Sequence, residues 1–330
     1  MSFDDRKVSG EDRLIARFFA PLASHPGALN LADDAAFLTP PAGHDLVLKT
    51  DAVIAGVHFF PEDAAHTVAC KALRVNLSDL AAKGARPLGF LMALALPKDT
   101  SDTWLGNFAE GLRGDSVLYA CPLFGGDTDR TPGPLTVSIA MFGCVPQGAM
   151  VRRAGARPGD RVFVSGTIGD AALGLALRNG ADWKLGDAQR QHLIARYLLP
   201  QPRLALSQAL RAHATAAMDI SDGLAGDFAK LCRVSQVGAA IEAARVPFSE
   251  AAQAVIAADP ARLETALTGG DDYEIVCTVP ADRADAFRTA AETAKVQVSE
   301  IGEIVAGEGA RFVAADGAPL HFEHEAFSHF

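Results

Sequence analysis

Residues 64–84 read AAHTVACKALRVNLSDLAAKG, an alanine- and leucine-rich stretch whose apolar side chains recur at helical spacing until Gly84. An apolar run lies on either side of it, DLVLKT at 45–50 and LGFLMALAL at 88–96, and each run predicts a strand. Pro97 is expected to end the second strand, because proline cannot donate to a sheet. A strand, a helix and a strand in succession indicate an α/β unit.

The same alternation continues on both sides of this unit. A helix entered through Ser9 is predicted over 10–23, and further helices are predicted over 101–114, 170–178, 203–213, 223–233 and 281–294. Further strands are predicted near 117–123 and over 135–145, 161–165, 215–220, 237–242, 273–279 and 298–304. The stretch RRAGARPGDR at 152–161 is rich in Gly, Pro and Arg and is the predicted boundary. We therefore expect an α/β (α+β) chain with two domains, residues 1–150 and 151–330.

Composition and charge exclude several classes of function. The 330 residues carry a net charge of −10, from 40 acidic and 30 basic side chains, without a basic stripe that could neutralise a nucleic-acid backbone. No apolar run reaches the roughly 18 residues of a membrane span, and the acidic, mixed N-terminus does not resemble a targeting peptide. The five cysteines are scattered without a CxxC pair, which disfavours a zinc site or a disulfide framework. We expect a cytoplasmic protein that binds neither nucleic acid nor membrane.

Aspartates recur where apolar elements are expected to meet turns of small residues. The six places hold Asp33 and Asp34, Asp51, Asp79, Asp127, Asp219 and Asp222, and Asp271 and Asp272. Any single aspartate of this kind is more commonly a helix cap or a turn residue, and we interpret Asp129 and Asp160 in that way. Six such places in one chain instead favour convergent carboxylates around Mg²⁺, which would let an acidic protein hold a polyphosphate.

Glycine pairs, and the absence of several common motifs, limit the kinds of nucleotide-binding site that the sequence can form. Gly125-Gly126 and Gly269-Gly270 leave room for the backbone to approach a ligand. The turn Gly166-x-x-Gly169 could direct a helix N-terminus at an anion or simply begin a helix. The sequence contains no GxxxxGK[ST] loop, no protein-kinase motifs and no GxSxG elbow. An aspartate-rich site for Mg²⁺ and ATP remains the favoured hypothesis.

Read together, these segments resemble the thiamine-monophosphate kinase family, in the superfamily of aminoimidazole ribonucleotide synthetase and selenophosphate synthetase. The matching segments run in family order: DDAAFL (33–38), TDAVIAGVHF (50–59), KALRVNLSDLAAKGARP (71–87), GGDTDR (125–130), RRAGARPGD (152–160), MDISDGL (218–224), GGDDYEIV (269–276) and SHF (328–330). The resemblance implies an N-terminal domain that pairs its sheet with that of a second copy in a homodimer, and a C-terminal α/β domain that closes over the ATP. It implies direct in-line transfer of the ATP γ-phosphoryl group to thiamine monophosphate, assisted by several Mg²⁺ ions.

The resemblance also assigns roles to residues. The implied metal ligands are Asp34, Thr50, Asp51, Asp79, Asp127, Asp219 and Asp222. The implied ATP contacts are Gly126, Asp127, Arg153 and Ser221, and the implied thiamine monophosphate contacts are His58, Asp271 and Phe327. No residue is assigned as a nucleophile or general base, because phosphoryl transfer asks mainly for positioning and charge neutralisation.

Three positions depart from the family pattern. Ala32 stands where a glycine usually precedes the first aspartate pair, and Asp271 stands for the usual glutamate. Lys49 stands where a Ser or Thr that can touch a metal is common, and its cation could repel a metal or contact a phosphate. Two alternatives stay open: another ATP-using member of the superfamily, or a non-catalytic sensor of nucleotide and thiamine phosphate. The reactive N-terminal Cys or selenocysteine of selenophosphate synthetase has no counterpart, because no cysteine precedes Cys70.

Overall fold

The computed structural model describes residues 9–314, 316–322 and 326, which divide into two compact units. The first unit holds the described residues of Met1–Leu77 together with Pro87–Pro146. The second holds Ser78–Arg86 and the described residues of Gln147–Phe330. The assignment of separate functional domains to residues 1–150 and 151–330 stays a prediction.

A four-stranded sheet forms the centre of the first unit. Its elements are α1 (Gly10–Leu14), β1 (His44–Ile54), α2 (Ala65–Ala82), β2 (Arg86–Pro97), α3 (Asp102–Leu118), β3 (Leu123–Thr131) and β4 (Thr136–Pro146). The strand order is β1-β4-β2-β3, with β1 antiparallel to β4 and β2 parallel to β3. The strands β1 and β3 are therefore the two edges of the sheet.

The two faces of this sheet differ in burial. On β1, Val47 and Val53 are buried, while Leu46 and Leu48 on the opposite face are 43% and 71% exposed. Successive side chains of a strand point to opposite faces, so one face packs into the core and the other is an exposed apolar surface. Leu91 of β2 adds to that exposed surface, which we call the open sheet face.

Two predictions for the first unit are corrected by the structure. The helix predicted over 10–23 begins after Ser9, whose side chain accepts from the Asp12 N–H, but it is α-helical only to Leu14 and continues as a π-turn and a 3₁₀-turn. Pro21 lacks the N–H that an α-helix needs there. The strand predicted near 117–123 begins only at Leu123, as β3, because Val117 and Leu118 are the last, exposed residues of α3.

The aspartates are less often at junctions than the sequence indicates. Asp51 lies inside β1, Asp79 inside α2 and Asp127 inside β3. Asp129 also lies inside β3, so its interpretation as a turn residue is wrong. The Asp160 side chain accepts from the Arg157 N–H across a tight turn, as expected for a turn residue, and Asp160 then begins the next strand. The strands reach further than their apolar runs, because ladder pairing continues through polar residues.

A six-stranded sheet forms the centre of the second unit. Its elements are β5 (Asp160–Ser165), α4 (Asp170–Arg178), α5 (Asp187–Leu198), α6 (Ser207–His213), β6 (Ala216–Ile220), α7 (Leu224–Ser235), β7 (Gly238–Glu242), α8 (Glu250–Ala258), α9 (Arg262–Thr268), β8 (Glu274–Pro280), α10 (Ala284–Thr293), β9 (Val298–Val305) and β10 (Gly309–Val313). The strand order is β10-β7-β9-β5-β8-β6. The pair β10–β7 is parallel, and the other pairs are antiparallel.

This second sheet is buried on both faces. Val162 and Val164 of β5 belong to one apolar cluster, and Phe163 between them belongs to another. A strand covered on both sides reads as a continuous apolar run, which is why a strand such as β5 was predictable from the sequence. The edge strand β10 was not predicted. None of the helices that the structure describes is long and apolar enough to cross a membrane.

Candidate active site

A cavity of about 860 Å³ lies on the open sheet face of the first unit. Its lining includes Asp33 and Asp34, from the segment before β1, and Gly126 and Asp127 of β3. Two predicted metal ligands, Asp34 and Asp127, therefore line one cavity together with the predicted ATP contact Gly126. The apolar part of the same lining comes from the strands and from the chain before β1, which contributes Phe19 and Phe37 among others.

Gly126 is required by the pairing of β3 with β2. It lies opposite Met92 in the parallel ladder, and a Cβ atom on Gly126 would lie 1.8 Å from the Met92 carbonyl oxygen. No side chain fits at that distance, so only glycine allows the strands to stay paired. The pairing in turn fixes the position of Asp127, the next residue of β3, opposite Ala93.

Thr50 and Asp51 lie on β1, at the opposite edge of the sheet from β3. Three strand spacings, about 14 Å along the sheet, separate the two edges. The Asp51 N–H donates to Asn76 Oδ1, and Lys49 Nζ lies 3.0 Å from Asp51 Oδ2. One chain thus does not place Asp51 on a strand next to Asp127, and Lys49 already neutralises part of the Asp51 charge.

His58 lies in a tight turn that follows β1. The N–H groups of Val57 and His58 donate to the Ile54 carbonyl oxygen, and the Ile54 N–H donates to His58 Nδ1 at 3.1 Å. The buried Lys71 of α2 donates from Nζ to the His58 carbonyl oxygen at 2.8 Å. Hydrogen bonds to both its ring and its backbone therefore hold the predicted substrate contact in place.

In the second unit, the segments 219–222 and 269–273 lie against each other. The Asp271 N–H donates to the Ser221 carbonyl oxygen at 2.9 Å, and the Tyr273 N–H donates to the Ile220 carbonyl oxygen at 2.8 Å. A Cβ atom on Gly270 would lie 2.4 Å from the Ser221 carbonyl oxygen, so glycine is needed for this approach. The structure thereby brings the predicted substrate contact Asp271 beside the predicted ATP contact Ser221.

The last turn of α2 reaches the same segments. Ser78, the neighbour of the predicted metal ligand Asp79, has its hydroxyl oxygen 3.5 Å from the Tyr273 carbonyl oxygen. Asp219, another predicted ligand, lies in β6 opposite Ile275 and is buried. Within the second unit, the ends of α2, β6 and the 269–273 segment therefore carry three of the predicted site residues close together in the fold.

An aspartate–lysine cluster that the sequence analysis missed supports Asp222. Asp227, in the first turn of α7, accepts from the N–H groups of Ser221 and Asp222 at 2.9 and 2.8 Å. Lys230 donates to Asp222 Oδ2 at 2.5 Å and to Asp227 Oδ1 at 2.9 Å. Burial raises the pKa of Asp227, although hydrogen bonds from Lys230 and the Asp222 amide partly offset that effect. An acid in the first turn of the predicted helix was the available signal.

A second buried network, also missed, holds the other side of the 269–273 segment. Glu274 is fully buried and accepts from both Arg196 and Arg203, with Arg196 at 2.7 Å. Asp272 accepts from the Gly169 N–H at 2.7 Å, and its Oδ1 has no hydrogen-bond partner among the described residues. Burial raises the pKa of Asp272 well above its ordinary value, and this effect outweighs the hydrogen bond from the Gly169 N–H, which lowers the pKa. No local sequence pattern reveals these contacts, because they join residues far apart in the chain.

Besides His58, the predicted contact Arg153 is not brought to the cavity or to the segments 219–222 and 269–273. Arg153 is exposed, and its carbonyl oxygen accepts from the Ser235 hydroxyl at 3.3 Å. Its assignment to ATP stays a prediction. Phe327 lies outside the described residues.

The donor chemistry of the predicted ligands suits Mg²⁺. The predicted ligands are carboxylates and one hydroxyl, the oxygen donors that a hard cation prefers. Among the residues that the structure describes, no three His, Cys, Asp or Glu side chains are grouped so that they could hold one ion. Mg²⁺ commonly binds through one or two carboxylates, with phosphate oxygens and water completing its octahedron. The residues fit a metal that arrives with a polyphosphate.

Comparisons with known proteins agree with these features. Residues 32–145 match the family model described as AIR synthase related protein, N-terminal domain, and residues 157–314 match the corresponding C-terminal domain. A curated thiamine-monophosphate kinase from Caulobacter vibrioides is 47% identical over 299 residues, covering 89% of this chain and 84% of the relative.

Solved structures show the same relationship. The thiamine-monophosphate kinase of Stenotrophomonas maltophilia K279a superposes with a TM-score of 0.81 at 39% identity, covering 94% of this chain and 96% of that one. AaThiL, solved in complex with AMPPCP and TMP, superposes with a TM-score of 0.76 at 32% identity, covering 90% and 91% of the two chains. The chain therefore belongs to the thiamine-monophosphate kinase family, whose two domains are those of the AIR synthase related proteins.

Proposed function

We propose that this chain transfers the γ-phosphoryl group of ATP to thiamine monophosphate. A phosphate oxygen of thiamine monophosphate forms the new bond to the γ-phosphorus, and the bond from that phosphorus to the β–γ bridging oxygen breaks. The products are thiamine diphosphate and ADP. Relatives named thiamine-monophosphate kinase, and a related structure holding an ATP analogue with TMP, support this reaction over that of another superfamily member.

One observation in the second unit carries the proposal. The backbone N–H of Asp271, the predicted acceptor contact, donates to the Ser221 carbonyl oxygen at 2.9 Å. Ser221 and Asp222 are the predicted contacts for ATP and metal. Asp271 would bind the acceptor, thiamine monophosphate, whose ring is cationic, while Ser221 and Asp222 beside it would bind the donor, ATP, and its metal. In-line transfer between two bound phosphates requires that the binding groups for donor and acceptor be neighbours in this way.

The chain's own residues would bind and orient the two substrates. Gly126, Arg153 and Ser221 would contact ATP, and His58, Asp271 and Phe327 would contact thiamine monophosphate. The residues that would hold Mg²⁺ are Asp34, Thr50, Asp51, Asp79, Asp127, Asp219 and Asp222. When bound, Mg²⁺ supplies positive charge that offsets the repulsion between the two polyanions.

We assign no general base or nucleophile, because the attacking phosphate oxygen is already anionic at neutral pH. The work left to the protein is alignment and the exclusion of competing water. The cluster of Asp227 and Lys230 would serve alignment, since it fixes the backbone and side chain of Asp222.

We further propose that the chain acts as a homodimer through its open sheet face. Exposed leucines on a sheet face are typical of an interface between subunits, and Leu48 is 71% exposed there. A second copy would also offer its own β3 edge to the β1 edge that carries Asp51. The dimer thus supplies a reason why Asp51 and Asp127 lie at opposite edges of one sheet.

We place the enzyme in the cytoplasm. All five cysteines are buried thiols that form no disulfide, which suits a reducing compartment. ATP and Mg²⁺ are both available there, as the proposed reaction requires.

The proposal is tested by acceptor specificity. Purified chain would be incubated with ATP, Mg²⁺ and either thiamine, thiamine monophosphate or no acceptor, and the products separated by chromatography. We expect ADP and thiamine diphosphate to form in equal amounts when thiamine monophosphate is the acceptor, and neither product to form with thiamine or without an acceptor. Binding of both ligands without ADP formation at saturating Mg²⁺ would instead favour the sensor, and ADP formation that ignores the acceptor would favour another superfamily reaction.

A further inference from the structure

We propose that Lys71 is a positioning residue which, together with the Ile54 amide, holds His58 as a neutral imidazole with its proton on Nε2. The inference deepens the proposed function, on which its kinetic consequences rest. The structural part concerns the first unit alone and can be measured without turnover.

The tautomer follows from the partner of Nδ1. The Ile54 backbone N–H donates to His58 Nδ1 at 3.1 Å. A backbone amide can only donate, so Nδ1 must offer a lone pair and cannot carry a proton. In a neutral imidazole the proton is then on Nε2, and an imidazolium would set two N–H donors against each other.

The turn cannot easily rotate to relieve that contact. The Ile54 carbonyl oxygen accepts from the N–H groups of both Val57 and His58, and the Gly56 N–H donates to the Phe59 carbonyl oxygen at 2.8 Å. These hydrogen bonds form a tight turn over residues 54–59. The His58 ring is therefore held against the end of β1.

Lys71 ties this turn to helix α2. It is only 2% exposed, and an ammonium group buried to that degree is costly unless it is hydrogen-bonded. Its Nζ donates to the His58 carbonyl oxygen at 2.8 Å, a bond strengthened by the charge. A cation bonded to the backbone of His58 also disfavours a second positive charge on the imidazole of that residue.

A neutral N–H donor suits the proposed substrate. Thiamine monophosphate combines an anionic phosphate with a cationic thiazolium ring, and an imidazolium would repel the ring. An Nε2–H group can donate to an acceptor atom without that repulsion. His58 would thus select its ligand by a hydrogen bond and not by charge.

The tautomer is tested by NMR of the full chain with ¹⁵N-labelled histidine. The His58 signals are identified among the nine histidines by their loss in His58→Gln. We expect an unprotonated Nδ1 and a protonated Nε2 at pH 7. A protonated Nδ1, alone or with a protonated Nε2, would overturn the proposal, whatever the catalytic activity of the chain.

The positioning role is tested with Lys71→Met, which keeps the length and loses the charge, and Lys71→Arg, which keeps a donor. We expect Lys71→Met to lose the single-tautomer spectrum and to raise KM for thiamine monophosphate about ten-fold, with KM for ATP unchanged. Lys71→Arg should retain more of the single-tautomer His58 spectrum than Lys71→Met does. A wild-type His58 spectrum in a folded Lys71→Met would overturn the role.

Lys83→Met is the matched control, because Lys83 also donates to a backbone carbonyl, that of Ala217, at 2.8 Å. It should leave the His58 spectrum unchanged. The two proposals fail separately: a chain that is not this kinase would form no thiamine diphosphate even as wild type, while its His58 spectrum would still report the tautomer.

Discussion

At the scale of single residues, two of the buried carboxylates lie in groups whose opposite charges and hydrogen bonds compensate them. Glu274 is enclosed by Arg196 and Arg203, and Asp227 accepts from two backbone amides and Lys230. Removing one member of such a group leaves an uncompensated charge, which is more damaging than losing the pair. These groups adjoin the segments 219–222 and 269–273, so they stabilise the proposed site more directly than they stabilise the core.

Asp127 provides the residue-scale test of the proposed metal site. Replacing it by asparagine keeps the shape but removes the negative charge that would hold Mg²⁺, so Asp127→Asn should lower kcat/KM at least about 100-fold. Asp129→Asn is the matched control, because Asp129 lies two residues further along β3 and has no proposed role. Steady-state kinetics would decide, with circular dichroism to confirm folding. Full turnover by Asp127→Asn would remove Asp127 from the site.

Asp272 gives a prediction for the pH dependence of stability. Its raised pKa means that the folded chain keeps a proton which the unfolded chain loses near pH 4. The free energy of unfolding therefore falls as pH rises from about 4 to the folded-state pKa of Asp272. Asp272→Asn keeps a neutral side chain, so it should be more stable than wild type at pH 8.

Thermal melts between pH 5 and 8 measure this effect. The advantage of Asp272→Asn should shrink as pH falls, and each kcal/mol corresponds to about 2–4 °C in a unit of this size. Asp182→Asn, at a side chain that is 93% exposed, serves as the control and should show no such trend. An Asp272→Asn variant that is less stable than wild type at pH 8 would show that the buried carboxylate is charged and compensated.

At the scale of elements, close backbone approach decides where the site segments lie. Gly126 lets β3 pair with β2, and Gly270 lets the 269–273 segment meet the end of β6. At Gly270, contact with the Ser221 carbonyl oxygen, and not a special backbone angle, is what demands glycine. Such positions couple the shape of an element directly to the position of its functional side chains.

Gly270→Ala tests this coupling. The added methyl group would lie 2.4 Å from the Ser221 carbonyl oxygen, so the two segments must separate. We expect KM for thiamine monophosphate to rise about ten-fold or more, as for the loss of one hydrogen bond. Gly114→Ala is the control: it lies in α3 with nothing near its Cβ position and should stabilise the chain by about 0.5–1 kcal/mol. Unchanged KM values in Gly270→Ala would contradict the account.

Periodicity predicted the elements whose pattern is complete within a short window. The helix α4 and five of the six strands of the second sheet, β5 to β9, were located to within a residue or two, whereas the short edge strand β10 was not predicted. The strand predicted near 117–123 was placed too early in the chain, because an apolar helix end looks like a strand when its exposure is unknown. The short helices α8 and α9 and the polar helix α5 were not predicted, because their apolar faces are defined only by their neighbours.

The residues of the candidate site likewise divide into those that local sequence reveals and those that it does not. The acids of the DISDGL and GGDDYE segments could be singled out from local sequence, and the structure brings those segments together. Asp227, Lys230 and the Arg196–Glu274 pair could not, because their partners are set by tertiary contacts. The individual metal assignments stay predictions, since they come from the family resemblance.

At the scale of the whole molecule, the leucines of the open sheet face, which also line the cavity, are the basis of the proposed dimer. Leu46, Leu48 and Leu91 are exposed on it together. Leu48→Asp would place an unpaired charge in an apolar interface, which is strongly unfavourable, so it should convert a dimer into monomers. Light scattering after gel filtration measures the mass. Val117→Asp, at a residue 74% exposed at the end of α3, should stay dimeric.

A monomeric wild-type chain, or a Leu48→Asp variant that remains dimeric, would contradict this assignment of the interface. If the dimer is needed to bring Asp51 and Asp127 to one site, Leu48→Asp should also lose activity. A monomeric variant with full activity would separate the interface from the chemistry.

The central claim is that the γ-phosphoryl group of ATP passes to thiamine monophosphate on this chain. The most direct measurement follows that group, using ATP labelled with ³²P at the γ position, Mg²⁺ and thiamine monophosphate, with the products separated by chromatography. We expect the label to appear in thiamine diphosphate, one for each ADP formed, and the transfer to be at least about 100-fold slower in Asp127→Asn. Label released as inorganic phosphate, with no labelled thiamine diphosphate, would contradict the central claim.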